Sequence, residues 1–136
     1  MTIHVKEFLD SDGFIRAELL DREASEIADE LSKTNLSTHQ VRKFYDEVKQ
    51  YKTRLDKGDD FKKIFPLILM LKSKAKYAFS KEKDNKKKDG LKLFYEFICQ
   101  NIEKIKEEDA KDKKEKFDAF CLFFEAVYGF ANLKKN

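Results

Sequence analysis

The feature that most constrains this chain is an apolar stripe of helical spacing between residues 37 and 58. Apolar side chains recur there every three or four residues, which places them on one face of an α-helix. Ser37 followed by Gln40 has the pattern of a capping box, and Gly58 suits a C-terminal cap. The segment therefore predicts a helix with one buried face. That face consists of Val41, Phe44, Tyr45, Val48, Tyr51 and Leu55.

Four further helical patterns lead us to predict an all-α fold, an antiparallel bundle of about five helices. They cover approximately residues 21–33, 61–78, 91–106 and 115–132. The third of the five helices is apolar almost all round, which is typical of a helix at the centre of a bundle. Pro66 either opens the regular part of that helix or kinks it. With 4 Gly and 1 Pro, the chain lacks the turn formers of a β-sandwich.

The 136 residues predict one helical domain, 1–136, with two segments that stand apart from the helical patterns. Residues 1–20 form an arm of uncertain structure, whose Ile3, Val5 and Phe8 suit either an edge strand or packing on the body. Residues 80–89 contain no apolar side chain, which predicts a mobile basic loop. Residues 107–116 are charged apart from Ala110 and suit either a loop or a helical extension.

The inventory of reactive side chains argues against catalysis. His4 and His39 have no Cys or Asp partner at ligand spacing, so we expect no metal site and no cofactor. Cys99 and Cys121 lie in apolar helical patterns, which predicts buried free thiols in a reducing compartment. The four glycines are scattered and form no phosphate-binding loop. This inventory predicts a non-catalytic protein. We find no signal segment and no apolar run long enough to cross a membrane, so we expect a cytoplasmic protein.

The charge is distributed unevenly along the chain. The net formal charge is only +3, yet residues 33–95 carry eighteen basic and eight acidic side chains, whereas residues 1–32 carry three basic and nine acidic ones. A basic segment of this kind is typical of a protein that binds a polyanion. A well-solvated, lysine-rich helical surface is the simpler alternative.

The candidate phosphate-binding side chains of the second helix lie on two flanks. On a helical wheel, Arg42 and Lys49 lie on one flank of the helix, and Lys43 and Arg54 lie on the other. At a rise of about 1.5 Å per residue, Arg42 and Lys49 are roughly 10 Å apart, so one helix could contact two phosphates of a strand.

The third helix adds further candidates. Lys72 and Lys76 share a face one turn apart, and Lys74 points the other way. Tyr77 suits either stacking on a base or completion of the core. Nucleic-acid binding by these side chains requires that the cations of both helices converge into one continuous track after folding.

Three stretches of this chain resemble a known family when they are taken in order. The resemblance is to the small helical subunit of the type III-A (Csm-type) CRISPR interference complex, and it covers roughly residues 36–130. The stretches are LSTHQVRKFY at 36–45, PLILMLKSKAKYA at 66–78 and FCLFFEAVY at 120–128.

The resemblance implies an all-α, non-catalytic subunit that stacks in several copies along a ribonucleoprotein. Its implied partners are guide RNA and target RNA, contacted at the sugar-phosphate backbone, together with other Csm subunits and copies of itself. A subunit that accepts any target reads charge and shape rather than base edges. The RNA-binding residues that the resemblance implies are Arg42, Lys43, Lys49, Lys72, Lys74 and Lys76, with Arg54 as a weaker candidate.

Assembly also requires protein contacts, for which Phe123 and Phe130 are our candidates. They lie about 100° off the core stripe of the fifth helix. The alternative is that a neighbouring helix or the N-terminal arm covers them.

Two other functions also suit the sequence. One is a generic helical protein-interaction module with no RNA role, and the other is a basic membrane-surface protein, which would need an apolar face beside its lysines.

Overall fold

The computed structural model describes residues 2–107 and 110–135, which form five α-helices preceded by an N-terminal arm. A π-helical turn, Leu19–Glu23, leads directly into the first helix. The all-α prediction of about five helices is confirmed. The helices are α1 (Ala24–Ser32), α2 (Thr38–Asp56), α3 (Phe61–Lys81), α4 (Asn85–Lys106) and α5 (Ala110–Phe130).

Helices α2 to α5 form an up-and-down bundle in which neighbours in sequence are neighbours in space. The antiparallel direction of α3 and α4 is visible in two contacts. Lys72 pairs with Glu103, and Phe79 stacks on Tyr95, so residue numbers increase along α3 while those of their α4 partners decrease. Helix α5 contacts both α4 and α2 and closes the bundle, while α1 packs on α5 and α4.

The centre of the bundle is made by α4 and α5 rather than by α3. On α3 only one face is buried, and Met70 on the opposite face is 50% exposed. The prediction that the third helix lies at the centre is therefore wrong, because α3 packs mainly on α4 and α2 and most of its remaining apolar side chains are only partly buried. The hydrophobic side chains that α4 buries are Leu91, Leu93, Phe94, Phe97, Ile98, Ile102 and Ile105.

Local sequence signals place the ends of α2 as predicted. The Ser37 side chain accepts a hydrogen bond from the Gln40 amide, and the Gln40 side chain accepts one from the Ser37 amide, which confirms the capping box. After α2 the chain turns at Gly58, whose φ of 106° favours glycine. Asp60 caps α3, since its carboxylate accepts a hydrogen bond from the Lys62 amide.

The prediction of a loop at residues 80–89 is wrong. Helix α3 continues to Lys81 and α4 begins at Asn85, so that only residues 82–84 separate them. The Asp84 carboxylate accepts a hydrogen bond from the Lys86 amide at 2.9 Å and begins α4 within the charged run. Lysine is a good helix former, so the absence of apolar residues there did not indicate a loop. Residues 110–116 likewise belong to α5.

The N-terminal arm packs on the body of the protein. Ile3, Val5 and Phe8 are buried. Gln100 of α4 fixes the arm, because its side chain accepts a hydrogen bond from the Val5 amide and donates one to the Ile3 carbonyl, both at 2.7 Å. The arm then reverses at Gly13.

The arm covers Phe123, which is fully buried. The ring centroid of Phe123 lies 6.3 Å from that of Phe8 and 5.7 Å from that of Phe97. The expectation that Phe123 faces a partner is therefore wrong, and the alternative of coverage by the arm holds. Phe130 is 50% exposed, and its contact with a partner stays a prediction.

The segment between α1 and α2 is held from two sides. The Lys134 amide donates to the Leu36 carbonyl, and the Thr38 amide donates to the Lys134 carbonyl. On the other side, α4 approaches so closely that a Cβ on Gly90 would lie 2.8 Å from the Thr34 hydroxyl and 2.9 Å from the Leu36 nitrogen. Glycine is therefore required at position 90 for this packing.

Candidate nucleic-acid interface

The candidate cations lie in three adjacent grooves of the bundle and do not form the single track that the sequence interpretation required. The two flanks of α2 face different neighbours, α5 on one side and α3 on the other. Arg42 and Lys49 border the α2/α5 groove, Lys43 and Lys74 the α2/α3 groove, and Lys72 and Lys76 the α3/α4 groove.

The α2/α3 groove combines two cations with an apolar floor. It is an open cleft of about 210 Å³ lined by Lys43, Phe44, Glu47, Lys74 and Ala78. Lys74 donates to a Glu47 carboxylate oxygen at 2.7 Å. Within the part of the chain that the structure describes, Lys43 has no carboxylate partner. The groove therefore presents one uncompensated ammonium group and one that is paired at the surface.

The ion pair between Lys74 and Glu47 is weak enough for another anion to replace Glu47 at the Lys74 ammonium group. The Lys74 side chain is 45% exposed, and exposed ion pairs contribute only about 0–1 kcal/mol to stability. Glu47 also accepts a hydrogen bond from the Tyr51 hydroxyl, and burial together with this carboxylate raises the pKa of Tyr51. Glu47 would keep this second partner if Lys74 turned to a phosphate.

The α2/α5 groove holds its cations in a mixed network. Arg42 Nε donates to the Tyr128 hydroxyl at 3.3 Å. The Lys49 ammonium lies 3.6 Å from a Glu125 carboxylate oxygen and 5.6 Å from the centroid of the Tyr45 ring. Both cations are exposed, and this groove, like the α2/α3 groove, combines two cations with one carboxylate.

The two α3 lysines of the α3/α4 groove differ in their partners. Lys72 donates to a Glu103 carboxylate oxygen at 2.5 Å, which lowers the pKa of Glu103 and raises that of Lys72. Lys76 lies 5.4 Å from the centroid of the Tyr95 ring. Among the described side chains, Lys76 forms no ion pair with a carboxylate.

Arg54 is engaged elsewhere, since its Nε donates to Asp59 at 2.9 Å across the turn between α2 and α3. Lys81 and Lys88 were not among the sequence candidates, because both lay in the segment that was interpreted as a loop. Lys81 lies against the Tyr77 ring and Lys88 against the Phe79 ring. It also left Tyr77 undecided. The ring is 66% exposed, so Tyr77 does not complete the core.

The described residues do not support a metal site or a membrane-spanning helix. No three His, Cys, Asp or Glu side chains among them converge on a point where a metal ion would bind. None of the helices that the structure describes is long and apolar enough to cross a membrane. Cys121 is buried and Cys99 is half-buried, and both thiols are free.

Comparison with protein families identifies a match over most of the chain. The family model described as Csm2 Type III-A matches residues 15–135, which include all five helices but not residues 1–14 of the arm. No curated protein and no solved structure matches the chain.

Proposed function

This chain belongs to the Csm2 family, the non-catalytic small subunit of the type III-A CRISPR Csm complex, and we propose that within this complex it binds the RNA sugar-phosphate backbone. The family resemblance that the sequence indicated is confirmed. The family implies membership of a complex that contains a guide RNA. The guide RNA and its paired target are the proposed ligands, and base sequence is not read.

The observation that carries the proposal is the α2/α3 groove. Lys43 has no carboxylate partner among the described residues, and Lys74 has one that is exchangeable at the surface. Ammonium groups bind phosphates as point charges and carry no information on base identity. The apolar floor of Phe44 and Ala78 offers no donor or acceptor side chain to a base edge.

We propose further that α5 contacts neighbouring subunits in the assembly. Phe130 is 50% exposed and Leu122 is 42% exposed, and the two lie about two turns apart on this helix. Two exposed apolar side chains on one helix support a protein contact. In such an assembly each copy adds its own weak RNA contacts, and avidity supplies the total affinity.

A charge-removal variant tests the proposed RNA contact. Lys43→Gln/Lys74→Gln should weaken binding of the full chain to RNA duplexes of unrelated sequence by a similar factor. The control Lys6→Gln/Lys33→Gln removes the same charge from the arm and the end of α1. Affinity is measured at several salt concentrations, where loss of two phosphate contacts should reduce the salt slope by about 1.8 on a duplex, and by about 1.4 on a single strand.

The outcome distinguishes the functional alternatives. If both double variants bind RNA equally well, the α2/α3 groove is not the contact. A protein-interaction module with no RNA role predicts instead that the parent chain fails to bind RNA even at low ionic strength. The melting temperatures of the variants, compared with that of the parent, show whether any loss of binding reflects unfolding.

A further inference from the structure

A second basic surface lies where α3 meets α4, and we call it the α3–α4 corner. Residues 72–92 contain nine lysines and three acidic residues. One of the three acidic side chains, Asp84, is occupied as the cap of α4. The corner consists of Lys76, Tyr77, Phe79, Lys81, Lys88 and Tyr95.

The lysines of the corner are paired with aromatic rings. Lys81 lies 4.9 Å from the centroid of the Tyr77 ring, and Lys88 lies 5.5 Å from that of Phe79. Lys76 approaches the rings of both Phe79 and Tyr95. Among the side chains that the structure describes, these three lysines form no ion pair with a carboxylate. A ring stabilises a cation without neutralising its charge, so the corner stays attractive to anions.

Tyr77 differs from the other two rings because it faces solvent. It is 66% exposed, whereas Phe79 and Tyr95 are partly buried and stack on each other with ring centroids 6.1 Å apart. Lys74 and Lys81 lie near Tyr77 on the outward side of α3, and their Cα atoms are roughly 10 Å apart along the helix. An exposed ring between cations is the arrangement on which single-stranded nucleic acids bind, with a base on the ring and phosphates on the lysines.

We propose that the α3–α4 corner, together with the adjoining Lys74, binds single-stranded RNA, with an unpaired base stacked on Tyr77 and the flanking phosphates held by Lys81 and Lys74. The inference rests on the proposed RNA-binding function and adds a contact to base faces. Lys74 also borders the α2/α3 groove, so the two surfaces adjoin and one strand can pass from one to the other. A base inside a duplex has both faces covered, which makes the corner selective for unpaired segments.

Three ligands of equal length separate stacking from charge. They are a single-stranded RNA, the same backbone made abasic at every position, and an RNA duplex. Tyr77→Ala should weaken binding of the single strand by about five- to 150-fold, which corresponds to roughly 1–3 kcal/mol for one base–aromatic contact. Binding of the abasic strand and of the duplex should not change. Tyr77→Phe keeps the ring and should bind as the parent does.

A spectroscopic readout detects the stacked base directly. The chain contains no tryptophan, so Tyr77→Trp introduces a single indole fluorophore at the corner. Its emission should be quenched by the single-stranded RNA and left unchanged by the abasic strand. Equal quenching by both strands would contradict stacking.

The variants separate this inference from the proposed function. If Tyr77→Ala binds the single strand as tightly as the parent, the corner is not a stacking site, whatever Lys43→Gln/Lys74→Gln does. If that double variant binds the duplex normally while Tyr77→Ala loses the single strand, the groove proposal fails and the corner stands.

Vesicles of phosphatidylserine and phosphatidylcholine test whether the corner binds a membrane surface instead of RNA. Loss of vesicle binding in Tyr77→Ala, with RNA binding intact, overturns the inference in favour of a membrane surface.

Discussion

The ammonium group of Lys74 on α3 lies 2.7 Å from a carboxylate oxygen of Glu47 on α2, across the α2/α3 groove. This pair joins the two helices on the surface where we place the RNA. A phosphate that binds Lys74 must therefore compete with Glu47.

Removal of this competitor should strengthen RNA binding. We expect Glu47→Gln to raise RNA affinity at low salt about two- to fivefold, which corresponds to an exposed pair of up to about 1 kcal/mol. The control Glu26→Gln makes the same charge change on α1, where the carboxylate lies 3.6 Å from Arg22. Fluorescence anisotropy with a labelled RNA measures both. An equal gain in the two variants would show that net charge alone is responsible.

Gly90→Ala should destabilise the protein. The added methyl group would collide with the backbone of Leu36, and steric overpacking typically costs about 1–3 kcal/mol. Gly129→Ala on α5 is the matched control, since a Cβ there meets nothing within 4 Å and alanine favours a helix by up to about 1 kcal/mol. Urea unfolding gives both free energies. Equal stability of the two variants would contradict the close approach of α4 to the α1–α2 segment.

Gln100→Ala should release the N-terminal arm from α4. The Val5 amide and the Ile3 carbonyl would lose their side-chain partner, at a cost of about 1–3 kcal/mol. Amide hydrogen exchange at Val5 should accelerate while exchange in the centre of α4 changes less. Gln50→Ala, on the exposed face of α2, serves as the control and should leave exchange at Val5 unchanged.

The Lys72–Glu103 pair predicts a pH dependence. The hydrogen bond from Lys72 lowers the pKa of the Glu103 carboxyl from 4.5 in the folded protein. A carboxyl with a depressed folded-state pKa stabilises the fold above its unfolded-state value, and this contribution is lost as the pH falls through the folded-state pKa. Carboxyl NMR titration should therefore give a midpoint below 4.5, and Lys72→Gln should return it towards 4.5. Lys74→Gln is the control and should leave that midpoint in place.

The sequence predicted most reliably what is decided locally. The capping box of Ser37 and Gln40 involves residues three apart, and its geometry follows directly from their side chains. The helix at residues 85–90 was missed because its stability depends on the Asp84 cap and on the packing of the α4 residues that follow, while its own composition resembles a loop.

Contacts between segments that are distant in the chain could not be predicted from a sequence pattern. The apolar residues of α3 predicted a central helix, but centrality depends on how many neighbours surround a helix and not on its composition alone. Phe123 was a candidate for a partner contact, with coverage by a neighbouring helix or the arm as the alternative, and the sequence could not decide between them because the arm had no assigned structure. The candidate lysines were identified by residue type, whereas their division among three grooves depends on which helix lies beside each flank of α2.

The sequential order of the bundle has a kinetic consequence. Helices α2 to α5 each pack on the next one in the chain, and such short loop closures are typical of fast folding. The hydrogen bonds from the arm to Gln100 instead join residues 95 and 97 positions apart. Ordering so long an intervening chain carries a larger entropic penalty. In refolding experiments the helical signal should therefore recover first, and protection of the Val5 amide should appear in a later phase.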